Sequence, residues 1–177
     1  MACRYVRPRC VEAFSNIIAE RGLSHRLGRV LRDAARGATK RDGYSLVPLR
    51  VSILKTLLLW KADVNNNSRG GCPPLYVAAE YGRHDEMKIL LHAKADVNSA
   101  SHIWPTAVWI ASYDGQADCV KTLVNHKADV NYRKYQTGES PAIMAAQNGH
   151  VLILDTLISA KADINITRNI DGRSPLH

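Results

Sequence analysis

The sequence lacks a long uncharged apolar run. Its longest apolar stretch, residues 51–60, contains Lys55 and falls well short of the ~20 residues that a membrane-spanning helix needs. No apolar core follows the basic N-terminus, so no secretory signal peptide is visible. The four cysteines are scattered without Cys-x-x-Cys spacing, which favours free thiols in a reducing compartment. We therefore expect a cytoplasmic protein, with the nucleus as the alternative.

Motifs that carry enzyme chemistry are also missing. The chain has no Gly-x-x-x-x-Gly-Lys-Ser/Thr phosphate loop, no His-Glu-x-x-His and no Gly-x-Ser-x-Gly. The fragment His84-Asp85-Glu86 groups three polar residues, but consecutive helical side chains diverge, so we expect a solvated helix start there. Cys119 has no repeated basic partner that would activate it. The sequence therefore predicts no enzyme, no cofactor, no metal site and no small-molecule substrate.

An internal repeat organises most of the chain. The string Lys-Ala-Asp-Val-Asn begins at Lys61, Lys94 and Lys127, and Lys-Ala-Asp-Ile-Asn begins at Lys161, so the intervals are 33, 33 and 34 residues. The extra residue of the last interval lies in the loop after the Asn, where an insertion disturbs no packed helix. A fixed period of this length predicts a solenoid of stacked units.

Each unit is predicted to contain two short helices. In the first complete unit, Pro73 and Pro74 can open a helix, because proline is tolerated in the first helical turn, and Gly82 ends it. Asp85 and Glu86 suit the positive N-terminal end of the second helix. Neither helix, at roughly two turns, is stable alone, so each must bury its apolar side on the neighbouring pair.

These units resemble ankyrin repeats. The segments that look like the family's Thr-Pro-Leu-His-x-Ala-Ala motif are Pro73-Pro-Leu-Tyr-Val-Ala-Ala79, Thr106-Ala-Val-Trp-Ile-Ala-Ser112, Ser140-Pro-Ala-Ile-Met-Ala-Ala146 and Ser174-Pro-Leu-His177. The Ala-Asp-Val-Asn strings match the segment between repeats. The resemblance covers about residues 50–177 and implies an all-α solenoid of paired antiparallel helices, with projecting hairpin loops and a concave face. It also implies protein recognition as the usual function.

Two departures from the family pattern concern its stability. The motif histidine is replaced by Tyr76, Trp109 and Ile143, so the side chain that usually makes hydrogen bonds there is missing in the complete repeats. The residue before Ala-Asp-Val-Asn is commonly Gly in this family but is Lys in every unit here. If the backbone at that site is left-handed, each Lys costs on the order of 1 kcal/mol.

The repeats place residues 42–177 in one ankyrin-repeat domain. Its predicted units are a half-repeat at 42–60, complete repeats at 61–93, 94–126 and 127–160, and a truncated repeat at 161–177. The half-repeat supplies only a second helix, and no polar cap is visible after the last unit. We therefore expect a part of a longer array or a shortened gene product. The second helix near residues 151–160 is predicted to open most easily, because little follows to cover it.

The charge lies mainly in the N-terminal segment. Residues 1–41 hold 10 Lys and Arg against 3 Asp and Glu, a net of +7, whereas residues 42–177 hold 14 against 13, a net of +1. This distribution argues against reading the whole chain as a nucleic-acid binder. Between Leu23 and Arg36 the apolar residues follow a helical period, and we interpret this helix as a cap on the first repeat. A disordered tail, an organelle presequence, and contact with nucleic acid or an anionic membrane are the alternatives.

The loops between repeats are free of the core pattern, so folding does not dictate their chemistry. Two consecutive loops hold residue types that dominate binding hot spots. The predicted protein-binding residues are His102, Ile103, Trp104, Tyr132, Arg133 and Tyr135. Neighbouring helix pairs stack roughly 8–10 Å apart, so the two loops could form one patch. The alternative is that Trp104, followed by Pro105, folds back onto its own hairpin, and that the tyrosines only stiffen a lengthened loop.

Three functions are open at this point. The favoured one is a non-catalytic module that binds a partner protein through its loop tips and concave face. The second is a structural segment of a longer ankyrin scaffold. The third is a regulatory part of an enzyme whose catalytic domain is absent from this chain. A repeat fold sets a shape and not a ligand, so the sequence does not name the partner.

Overall fold

The computed structural model describes residues 47–59, 63–65, 72–169 and 172–176. The basic segment 1–41 lies outside these residues, so the cap, tail and targeting hypotheses stay predictions. Within the described part the chain forms seven helices and no strand. They are α1 (Val47–Leu59), α2 (Pro74–Glu80), α3 (His84–His92), α4 (Ala107–Tyr113), α5 (Ala117–Asn125), α6 (Pro141–Gln147) and α7 (Val151–Ser159).

Three short helices, α2, α4 and α6, are the first helices of the repeats. Each follows an extended residue, Pro73, Thr106 or Ser140, which turns the chain into the helix. Pro74 and Pro141 lie in the first turns of α2 and α6, as the sequence predicts, because a proline there leaves no N–H unpaired. All residues of the three helices except the last one or two are buried, so these helices form much of the core.

A glycine with left-handed backbone precedes each of the second helices α3, α5 and α7. Its φ is 62° at Gly82, 76° at Gly115 and 72° at Gly149. Glycine adopts this conformation without the steric cost that a Cβ would add. The predicted helix break at Gly82 is therefore confirmed, and the glycine column of the sequence is a column of identical turns.

Each second helix is followed by a lysine with left-handed backbone. Its φ is 68° at Lys94, 67° at Lys127 and 65° at Lys161. The backbone N–H of Lys94 donates to the carbonyl of Leu91 at 3.0 Å, and equivalent bonds form after α5 and α7. These bonds satisfy carbonyls at the helix end in the arrangement where glycine is usual. The condition stated for the lysine site, a left-handed backbone, is therefore met in these three repeats.

The helices stack in two layers. α2, α4 and α6 pack side by side in one layer, and α1, α3, α5 and α7 pack side by side in the other. The two helices of each repeat also pack on each other, so the apolar sides of both layers share one continuous core. The predicted all-α solenoid is therefore confirmed.

The first described helix, α1, stands in the layer of second helices. Leu54 and Leu57 are buried, as the apolar pattern predicts for a half-repeat. The helix begins at Val47, inside the half-repeat predicted at residues 42–60.

The repeated Asp and Asn connect neighbouring repeats. Asp96 Oδ1 accepts a hydrogen bond from the backbone N–H of Asn98 at 3.0 Å, which closes a local turn. Asn98 Oδ1 accepts from the backbone N–H of Asp129, one repeat further along, at 2.8 Å. The sequence did not predict this second bond. Its equivalents join Asn65 to Asp96 at 2.8 Å and Asn131 to Asp163 at 2.7 Å.

Candidate protein-binding surface

The six predicted binding residues lie in two consecutive loops. The first loop, residues 99–106, precedes α4, and the second loop, residues 132–140, precedes α6. The exposed residues of the predicted set are His102, Ile103, Arg133 and Tyr135, and the partly buried ones are Trp104 and Tyr132. The predicted set therefore divides into four surface residues and two that pack on the protein.

A contact between aromatic rings joins the two loops. The rings of His102 and Tyr135 lie edge to face, with their centroids 5.2 Å apart. Ile103 and Tyr135 keep 71% and 72% of their surface exposed. The two loops thus present an apolar and aromatic surface to solvent while they hold each other in place.

Trp104 packs on the preceding repeat. Its ring lies edge to face with that of Tyr76 in α2, and the centroids are 5.2 Å apart. The Ser101 Oγ accepts hydrogen bonds from the backbone N–H groups of Ile103 and Trp104, which fixes a tight turn. The ring of Trp104 thus contacts α2 of the preceding repeat, whereas the alternative prediction placed it on its own hairpin.

Arg133 is tied to the loop of the following repeat. Its Nη2 donates to the carbonyl of Thr167 at 3.1 Å and to Asn169 Oδ1 at 3.0 Å. The backbone N–H of Asn169 in turn donates to the carbonyl of Thr137 in the second loop at 2.9 Å. These bonds span neighbouring repeats, so the exposed guanidinium is held in one position.

Trp109 stands where the family motif has a histidine, and it makes a hydrogen bond to the next repeat. Its Nε1 donates to the backbone carbonyl of Glu139, 30 residues further on, at 3.1 Å. An indole N–H can therefore replace the imidazole as a donor between repeats. Ile143, at the equivalent position of the next repeat, has no side-chain donor, so the substitution is not equivalent in every repeat.

Sequence reasoning also missed Tyr113 and Lys134 beside the predicted surface. The ring of Tyr113 stacks on that of Trp109 with centroids 5.7 Å apart, and the Lys134 Nζ lies 4.7 Å from the Trp109 centroid. Tyr113 is the last residue of α4 and is exposed, whereas its neighbours in that helix are buried. The sequence signal for Tyr113 was an aromatic residue at the C-terminal end of a first helix, where the helix leaves the core.

The histidines near the ends of second helices bond to backbone carbonyls. His92 Nδ1 lies 2.7 Å from the carbonyl of Lys88, and His126 Nδ1 lies 2.9 Å from that of Thr122. These contacts engage backbone carbonyls near the C-terminal ends of the two helices. His84 Nε2 instead lies 2.7 Å from Thr122 Oγ1, one repeat further on.

The prediction of a solvated helix start at His84-Asp85-Glu86 is wrong for Glu86. Only 5% of Glu86 is exposed, because its column in the repeat, which also holds Cys119 and Ile153, faces the core. Burial, together with the negative charges of Asp118 and Glu86, raises the pKa of the Cys119 thiol from 9.0 to about 11. Such a thiol is almost wholly protonated at neutral pH, which makes it a poor nucleophile.

Two absences hold for the part of the chain that the structure describes. No group of three or more His, Cys, Asp or Glu side chains there could hold a metal ion. None of the helices there combines the length and the apolar character that crossing a membrane requires.

The stacked helix pairs correspond to a known family. A family model described as ankyrin repeats (3 copies) matches residues 49–134 and, in a second overlapping match, residues 108–177. Together the two matches cover well over half of the chain. The chain belongs to the ankyrin repeat family. No curated protein matches it.

Ankyrin repeats are generally protein–protein interaction modules, and they are generally non-catalytic. In this ankyrin repeat chain, the loops between repeats expose residues that the core does not need. Left-handed lysines stand where the family usually has glycine. These lysines lie at the helix ends and not in the two loops.

Proposed function

We propose that this chain is a non-catalytic module that binds a partner protein through the first and second loops. The contact between His102 and Tyr135 carries the proposal, because it unites the loops of two repeats into one surface. The exposed side chains of Ile103 and Tyr135 are the centre of that surface. Large apolar and aromatic residues gain the most from burial at an interface, and a pre-formed surface loses little entropy on binding.

The buried Cys119 thiol and two exposed histidines support a binding role without catalysis. The Cys119 thiol is buried and protonated, and the imidazoles of His92 and His126 are directed at carbonyls of their own helices. Cys119 is a free and buried thiol, which fits a reducing compartment such as the cytoplasm. We therefore include a cytoplasmic location in the proposal.

The test is affinity capture with the whole 177-residue chain, followed by mass spectrometry of the bound proteins. The variant carrying Ile103→Ser and Tyr135→Ser should lose the captured partner. Its thermal midpoint should stay near that of the wild type, because both side chains are exposed. This pair is better than one that includes Trp104, whose ring packs on Tyr76.

A matched control removes two exposed leucines from second helices. The variant carrying Leu59→Ser and Leu152→Ser loses a similar amount of exposed apolar surface but leaves both loops intact. It should capture the same partner as the wild type. Equal capture by the loop variant and the control would refute the proposed surface and favour the scaffold or the regulatory alternative.

A further inference from the structure

The guanidinium of Arg133 is a fixed cation without a described counter-charge. Both of its hydrogen-bond acceptors, the carbonyl of Thr167 and the amide oxygen of Asn169, are neutral. No carboxylate in the described part of the chain lies within ion-pair distance of it. Both bonds come from Nη2, so the N–H groups of Nε and Nη1 can donate to a ligand.

The carboxylate of the second loop is already shared by two other cations. Glu139 Oε1 lies 3.1 Å from Arg168 Nη2, and Glu139 Oε2 lies 3.9 Å from Lys134 Nζ. Lys134 also lies over the ring of Trp109. Within the second loop, Arg133 and Lys134 are the two cations and Glu139 is the one carboxylate, so the loop has a net charge of +1. Arg133 is the exposed cation of the two, and no described carboxylate forms an ion pair with it.

An apolar surface lies beside this charge. Arg133 and Tyr135 are exposed, whereas Tyr132 and Lys134, which alternate with them, are partly buried. Tyr135 in turn contacts the first loop through its ring, next to exposed Ile103. A ligand placed here meets a planar cationic donor and, beside it, an aromatic and an aliphatic side chain.

We propose that this surface binds an acidic segment of a partner protein. An Asp or Glu carboxylate of the partner accepts hydrogen bonds from Arg133, and a neighbouring apolar side chain packs on Ile103 and Tyr135. Arginine held in place beforehand favours carboxylate recognition, since little side-chain entropy is lost on binding. The proposal rests on the proposed function and adds the chemistry of the partner.

A nucleic acid fits the surface less well than an acidic protein segment. Binding to a phosphate backbone depends on several cations arranged along it, and Lys134 and Arg168 are already engaged with Glu139. The exposed side chain of Ile103 has no use on a phosphate backbone, whereas it fits an apolar residue of a peptide.

The test uses selection of short random peptides displayed on phage against the whole chain. The selected peptides should be enriched in Asp and Glu next to a large apolar residue. The affinity of a selected peptide, measured by fluorescence anisotropy, should fall about tenfold in Arg133→Gln and less in Arg133→Lys, which keeps the charge but not the planar donor. Lys88→Gln, which removes one exposed charge from α3, is the control and should leave the affinity unchanged.

Salt dependence tests the charge without any substitution. The affinity of the wild type should fall as sodium chloride is raised, and this dependence should flatten in Arg133→Gln. Thermal unfolding of each variant shows whether its repeats are intact. Salt-independent binding by the wild type would overturn the proposal even if Arg133→Gln failed to fold.

The outcomes also separate this proposal from the proposed function. One outcome is that the selected peptides show no acidic enrichment and bind Arg133→Gln normally, but do not bind the Ile103→Ser and Tyr135→Ser variant. That outcome would overturn the acidic partner and leave the proposed binding surface standing. Peptides insensitive to all of these variants would overturn both. A short single-stranded oligonucleotide that binds the wild type and not Arg133→Gln would replace the acidic segment with a nucleic acid.

Discussion

The Oδ1 of Asn98 accepts the backbone N–H of Asp129 at 2.8 Å, across the boundary between two repeats. The side chain of Asp129 in turn accepts the N–H of Asn131, at 2.9 Å. The string at 127–131 thus donates one N–H to the preceding repeat, closes its own turn, and offers the Asn131 Oδ1 to the N–H of Asp163 in the next repeat. The two polar residues are retained in the pattern because each has a different partner.

Replacing Asn98 with Ala should lower the free energy of unfolding by about 1 kcal/mol, because the N–H of Asp129 loses its acceptor. Urea unfolding followed by circular dichroism measures the change. Asn165→Ala is the matched control, since the Asn165 side chain makes no hydrogen bond to another described residue and only its backbone N–H is engaged, with Asp163. Equal losses in the two variants would show that the bond between repeats contributes nothing.

Replacing Lys94 with Gly should raise the free energy of unfolding by about 1 kcal/mol and raise the thermal midpoint, because φ at this site is 68°. Lys88→Gly, in the middle of α3, should instead lower it by about 1 kcal/mol. Differential scanning calorimetry of both variants compares the two sites directly. A lower midpoint for Lys94→Gly would mean that the lysine side chain contributes more than its backbone strain costs.

Amide hydrogens of residues 151–160 should exchange faster than those of residues 84–92. Ile158 is 46% exposed, whereas its counterpart Leu91 in α3 is 6% exposed, so α7 buries less apolar surface per turn. Hydrogen exchange with mass spectrometry of peptides from α3 and α7 gives the comparison within one sample. Equal protection would indicate that another surface covers α7 in solution.

The contribution of Cys119 to stability should fall as the pH rises from 9 to 11. The folded state holds the thiol pKa at about 11, above the ordinary 9.0, so the unfolded state loses its proton first in this window. The difference in unfolding free energy between the wild type and Cys119→Ala should therefore be constant below pH 9 and shrink above it. A difference that stays constant up to pH 11 would contradict the raised pKa.

The helix pairs could be predicted from the sequence because their signals are local. Pro74 marks a helix start, Gly82 marks a helix break, and the apolar residues between them recur with the helical period. A left-handed backbone at Lys94 is suggested by comparison with the family pattern, which has glycine at this position. Each of these features is decided by a few neighbouring residues.

The binding surface was harder to predict because its contacts link distant residues. Trp104 and Tyr135 look alike in the sequence as aromatic loop residues, but Trp104 packs on Tyr76 and Tyr135 stays exposed. The hydrogen bond from Arg133 to Asn169 joins residues that are 36 positions apart, and no local sequence pattern indicates this bond. Which loop side chain packs and which faces solvent depends on the stacking of whole repeats.

The bond between repeats also decides how such a chain can change its length. Asn65 and Asp96 are 31 residues apart, and so are Asn98 and Asp129. An in-frame deletion of residues 66–98 would therefore leave Asn65 at the same spacing from Asp129, with the same acceptor and the same donor. A gene can therefore gain or lose one whole repeat and still encode the same Asn-to-Asp hydrogen bond between neighbouring repeats. Such a chain can change in length by whole repeats.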